Sequence, residues 1–154
     1  MAITDIAEHI RPLLSPDCVA GPAGQGRVAE AEGALGVVFP RSYSVFLANL
    51  GAGRCGEFEI FGIDPNYSDP SVCPAFVDVV QVNLRHRRLP FGRRPDSLVL
   101  FSSDGADFSF YLDTARRGSD NECPVTVLGP GRDLVIAGSF LEFLELSHRG
   151  AVEF

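Results

Sequence analysis

The chain has 154 residues, 45% of them hydrophobic and 21% charged, which places it with globular chains of a single domain, 1–154, and away from disordered or fibrous ones. Every one of the 13 basic residues is arginine, against 20 acidic residues, for a formal charge of −7, so the chain as a whole repels nucleic acid and anionic membrane and attracts basic partners. No apolar run reaches the roughly 20 residues of a membrane-spanning helix, and Asp5 and Glu8 interrupt a start that lacks the layout of a secretion signal, so a cytoplasmic location is expected.

Ile3, Ile6, Ala7, Ile10, Leu13 and Leu14 recur at helical spacing and predict an amphipathic helix over 3–14, stopped by Ser15-Pro16. Residues 16–26 are rich in Pro and Gly and read as a loop. A second helix is expected over 27–35, with Val28, Ala31 and Leu35 on one side and Gly36 as the left-handed residue that closes it. Pro40 suits the first position of a third helix, where Tyr43, Phe46, Leu47 and Leu50 form a buried stripe and Gly51-Ala52-Gly53 ends the run. Phe58 and Ile60 then alternate with Glu57 and Glu59, as in a strand with one wet face.

Residues 62–74 read as an irregular loop. A helix follows over about 75–88, burying Phe76, Val80 and Leu84 with help from Val77 and Val79, with Asp78 in its first turns and Arg85, Arg87 and Arg88 in its last. Leu98 to Phe101 reads as a central strand, Ser102-Ser103-Asp104-Gly105 as a hairpin connection, and Phe108, Phe110 and Leu112 as the next strand. Val125 and Val127 mark another, ended by Gly129-Pro130-Gly131. Ser139 and Glu142 form a capping box at the start of the last helix. This order predicts an α+β domain whose sheet is mainly antiparallel and flanked by helices, since a parallel doubly wound sheet needs alternating strands and helices.

Chemistry-bearing motifs are few. Cys18, Cys55, Cys73 and Cys123 stand far apart, and neither they nor His9, His86 and His148 give the close ligand pairs of a zinc site. Reduced thiols packed as small apolar residues are expected, with no metal and no cofactor. Asp104, Asp107 and Asp113 could be imagined as an acid/base or metal cluster, but turn chemistry accounts for Asp104-Gly105 and Asp113 sits at a strand end. Ser102 and Ser103 lack a nucleophile elbow, and a chain without lysine has no phosphate-binding P-loop. The segment 85–94, RHRRLPFGRR, holds five arginines and no acid. It reads either as a phosphate or nucleic-acid patch with Phe91 available to stack, or as a solvated helix end paired with acidic surface.

The pattern Ala29-Glu30-Ala31-Glu32 with Leu35-Gly36, Phe39-Pro40-x-x-Tyr43-x-x-Phe46-Leu47, and Asn49-x-Gly51-Ala52-Gly53 leading to Ile60-Phe61-Gly62 resembles the Smi1/Knr4 family of the SUKH superfamily. Ser103-Asp104-Gly105-x-Asp107, Leu112-Asp113, Pro124-Val125 and Ser139-Phe140-x-x-Phe143-Leu144 agree with it, so that the resemblance spans about residues 27–146. It implies a SUKH-like α+β fold with no enzymatic activity and no catalytic residues to carry over. It also implies a role as an immunity protein that neutralises a cognate polymorphic toxin, often a nuclease or deaminase. The alternative is a regulatory or scaffolding protein-interaction domain, as in fungal relatives.

On that reading Glu57, Glu59, Asp64, Tyr67, Asp69, Asp104 and Asp107 are the candidate partner-binding residues. The carboxylates would form an acidic face with Tyr67 as aromatic anchor, suited to a basic toxin domain. An ordinary solvated face is the plain alternative. The expected state is a monomer or weak homodimer, with neither nucleic acid nor membrane as partner.

Overall fold

The helical spacing of Ile6, Ala7 and Ile10 produces α1 (Ile3–Ile10) in the computed structural model, which describes residues 2–67 and 75–154. A 3-10 turn over Arg11–Leu13 carries Pro12, and the buried Leu14 follows. Next, α2 (Gln25–Leu35) buries Val28, Ala31 and Leu35, and Gly36 closes it in the left-handed conformation at φ 68°, ψ 31°. The carboxylate of Glu32 accepts from Phe39 N–H at 2.8 Å and so bridges the link into α3 (Arg41–Leu50).

Pro40 stands just before α3 in extended backbone, as its N-cap and not its first helical residue. A proline offers no capping side chain, and the open N–H groups are met from elsewhere. Glu122 accepts from Ser42 N–H at 3.0 Å and from its hydroxyl at 2.8 Å, and Arg41 N–H donates to the Asn121 carbonyl. Tyr43, Phe46, Leu47 and Leu50 are all fully buried, as the stripe predicts.

The Gly-rich stretch after α3 is more ordered than its sequence suggests. It forms β1 (Gly53–Cys55), paired antiparallel with β2 (Phe58–Ile60). The chain then passes so close to the end of α3 that a Cβ on Gly62 would lie 1.9 Å from the Gly51 carbonyl oxygen, which only glycine allows.

The fourth helix differs from expectation. It is α4 (Val79–Arg87), with Asp78 as its N-cap accepting from Gln81 N–H at 2.9 Å, and its buried residues are Val79 and Asn83. Phe76, Val80 and Leu84 are only half-buried. Asn83 explains the shift of face: its amide donates to the Leu100 carbonyl and accepts from Leu100 N–H, both at 2.9 Å, so a polar residue docks the helix on the sheet edge.

The main sheet has the order β3 (Leu98–Ser103), β4 (Ser109–Asp113), β5 (Val125–Gly129) and β6 (Arg132–Ala137), antiparallel throughout. The last strand was not expected, because Gly129-Pro130-Gly131 reads as a stop; Pro130-Gly131 is instead a two-residue turn. Beside β3, β2 is held by Phe61 N–H to the Phe101 carbonyl at 2.8 Å and by the Ser102 hydroxyl to the Glu59 carbonyl at 2.7 Å. Phe101 and Phe110 meet Phe143 of α5 (Phe140–His148) at centroid distances of 5.1 and 5.2 Å, and Tyr43 meets Phe140 at 4.9 Å. The Tyr43 hydroxyl donates to the Phe61 carbonyl at 2.7 Å inside this cluster. Ser139 caps α5 as expected, while Glu142 reaches back one residue further, to Gly138 N–H.

Candidate functional site

The β1–β2 turn is short and places Glu57 at an exposed tip, where its carbonyl accepts from the Arg54 guanidinium at 3.0 Å. Glu59 is half-buried, lies across from Arg54 in the hairpin, and accepts from Val77 N–H through its carboxylate. As β2 runs back from Phe61 through Glu59 toward Glu57, its neighbour β3 runs from Phe101 through Ser102 toward Asp104. The two strand ends therefore carry Glu57, Glu59, Asp104 and Asp107 toward one margin of the sheet. Asp104 is occupied there: its carboxylate accepts from Ala106 N–H at 2.8 Å and from Phe108 N–H at 3.1 Å, ordering the 104–108 loop. Glu57 and Asp107 are exposed, and their carboxylates have no hydrogen-bond partner among the described residues.

Asp64 and Tyr67 lie elsewhere. Asp64 is buried, and its carboxylate accepts from Asn66 N–H at 2.9 Å. Arg27 of α2 donates to the carbonyls of both Asp64 and Tyr67, at 3.3 and 3.2 Å, which pins this turn beneath the helix. Tyr67 borders a cleft of about 320 Å³ between α2 and α4, with Arg27, Glu30 and Asp78 on its walls. Asp64 thus serves the turn, and Tyr67 belongs to the cleft and not to the acidic margin. Asp69 and Cys73 lie outside the described residues.

The arginine segment is largely taken up in holding α4 to the strand that follows. Arg87 donates to the Leu35 carbonyl at 2.9 Å and stands 3.5 Å from Asp96; Arg93 meets the same carboxylate at 2.9 Å. The Arg93 hydrogen bond holds Asp96 below the usual carboxylate range. Arg94 lies against Tyr111, whose pKa burial raises. Arg85, Arg88 and the tip residue Phe91 are exposed. Asp96, one of the two acids that follow the segment most closely, is what ties two of its five arginines down.

Asp104 and Asp107 precede β4 and Asp113 ends it, so the length of the strand, about 13 Å by strand rise, separates them and they do not converge. The Ser102 hydroxyl is donated to the Glu59 carbonyl. Cys18, Cys55 and Cys123 are free thiols, and burial pushes the latter two up in pKa. Among the described residues, no group of three or more His, Cys, Asp or Glu side chains is placed to hold a metal ion. No helix among them is long and apolar enough to cross a membrane.

Two polar residues that the sequence reading passed over organise these surroundings. Glu122 caps α3, and desolvation raises its pKa against the bonds from Ser42. Asn83 stitches α4 to β3. Neither role has a local sequence signal, because the distant element that each residue ties down lies at least 17 residues away along the chain.

In comparisons with known proteins, the family model described as SMI1-KNR4 cell-wall (SUKH_6) matches residues 25–144, most of the chain. No curated protein matches.

Proposed function

The chain belongs to the SMI1-KNR4 family of the SUKH group, and on that premise we propose that it works by protein contact, as an immunity protein that binds and neutralises a cognate toxin without itself being an enzyme. The acidic margin formed by Glu57, Glu59, Asp104 and Asp107 supports this reading. A toxin that cleaves or deaminates nucleic acid must attract a polyanion, so its substrate site is basic. An acidic protein surface covering that site would be drawn to it electrostatically and would exclude substrate sterically. Glu57 and Asp107 are the contacting charges we assign, since Asp104 is engaged in ordering its own loop and Glu59 in holding Val77 ahead of α4.

Co-expression with the neighbouring toxin-encoding gene tests the reading: growth should be rescued and a stable complex recovered. In the double variant Glu57→Arg/Asp107→Arg, association should slow roughly 10-fold or more at low ionic strength and far less at high salt. A purified pair that fails to associate at low salt removes the immunity reading. Equal slowing at both salt concentrations removes the electrostatic part of it.

A further inference from the structure

Among the described residues the outer strand β6 has no strand beyond it in the sheet order, and two of its four exposed residues are apolar. Leu134 and Val135 are 41% and 44% exposed, neighbours in sequence that point to opposite faces of the sheet. The strand carries no lysine or proline; its protection is confined to Arg132 and Asp133 at its start and a bulge at Ile136, with Leu134 and Val135 between them.

Its backbone register can be worked out. Gly129 and Arg132 flank the two-residue turn and share the hydrogen bonds of the hairpin. Alternation from that pair makes Leu134 an inward-bonded residue opposite Val127 and turns the N–H and C=O of Asp133 and Val135 outward. An antiparallel two-fold pairing must bring outward-bonded residues together, which leaves few registers. One sets Asp133 against Asp133 of the second copy and another sets Arg132 against Arg132, both like-charge contacts. A third sets Asp133 against Val135 and Leu134 against Leu134. This third register joins apolar side chains at its centre and keeps like charges from facing each other; a fourth, Val135 against Val135, does so too but sets Leu134 against Ile136, the residue that the β5–β6 bulge leaves unpaired. The outer-face groove beside β6, about 320 Å³, has Arg94 and Arg116 on its wall to balance Asp133.

We propose that β6 is a self-pairing edge that joins two copies of this chain into an antiparallel eight-stranded sheet centred on Leu134. A single strand pair lies at the small end of interface sizes, so the dimer forms only at concentrations on the order of 100 μM.

Sedimentation velocity of the full chain, from about 10 μM to about 1 mM, should show a monomer passing to a dimer. Leu134→Lys and Leu134→Glu should each raise the dissociation constant about 10-fold or more, and mixing the two variants should restore dimer as a heterodimer. Val135→Pro removes an outward N–H and should block pairing while leaving the unfolding midpoint near that of the parent. A chain that stays monomeric throughout this range overturns the proposal. So does a mixture of the lysine and glutamate variants that remains monomeric, or dimerisation indifferent to Leu134.

Discussion

Asn83 offers the sharpest test of how α4 is fixed to the sheet. Its side-chain amide mimics one rung of a strand, donating to the Leu100 carbonyl and accepting from Leu100 N–H, with a further bond of 2.8 Å to the Val79 carbonyl. In Asn83→Leu both groups of Leu100 lose their partner, and Leu100 is too buried for water to replace it. Two orphaned backbone groups at about 1–3 kcal/mol each come to about 2–6 kcal/mol. Apolar burial of the new side chain returns about 1–2 kcal/mol, so the mid-range net loss is about 2.5 kcal/mol. At about 2–4 °C per kcal/mol for a chain of this size, Tm should fall by about 5–10 °C. Urea and thermal unfolding measure it directly. Asn83→Asp supplies the control: it keeps the acceptor for Leu100 N–H, loses the donor, and should regain stability in acid, where a protonated carboxyl can donate again. A leucine variant within about 0.5 kcal/mol of the parent, or an aspartate variant with no recovery in acid, refutes this account.

Gly62→Ala should destabilise by about 3 kcal/mol or more, because the new Cβ meets the Gly51 carbonyl at 1.9 Å and both sides of that contact are backbone; an unchanged urea midpoint would contradict the close approach. Glu122 gives a pH test. Its folded-state pKa lies above the ordinary 4.5, chiefly through desolvation, so the folded chain holds this proton longer than the unfolded one. That contribution is fully present below pH 4.5 and is lost as pH rises through the raised value. Glu122→Gln should therefore flatten the fall of Tm with pH just above 4.5, measured as the difference between variant and parent. A difference of the opposite slope would mean that the bonds from Ser42 outweigh burial.

The helices with one strong apolar face were legible because periodicity records one-sided burial. Tyr43, Phe46, Leu47 and Leu50 recur at helical spacing and all four end in the core. Ser139 announced α5 because a cap needs only a partner three residues away. Elements defined by distant partners were not legible. In α4 the buried contact is Asn83, whose bonds go to a strand 17 residues on, so the apolar Phe76, Val80 and Leu84 misled as to the buried face. As an edge strand, β6 keeps four successive residues exposed and so lacks the alternation that identifies a half-buried strand. The acidic residues were visible as charges, but their use was not. Whether a carboxylate faces solvent, as Glu57 does, or closes a turn, as Asp64 and Asp104 do, depends on backbone N–H groups that sequence alone does not place.

The two proposed surfaces rest on different side chains, Glu57 and Asp107 for one and Leu134 for the other, so substitutions can test them separately. The loop that carries Asp104 and Asp107 lies at the same end of the sheet as the β5–β6 turn, with the Asp107 carbonyl 2.8 Å from where a Cβ on Gly129 would stand, whereas Leu134 lies two residues further along β6 than Arg132, the partner of Gly129. Leu134→Lys should leave the rate of toxin association unchanged while weakening the dimer about 10-fold or more, and Glu57→Arg/Asp107→Arg should slow toxin association while leaving the dimer intact. If either substitution moved both readouts, the two would be coupled through the sheet, and the assignment of two independent surfaces would fall.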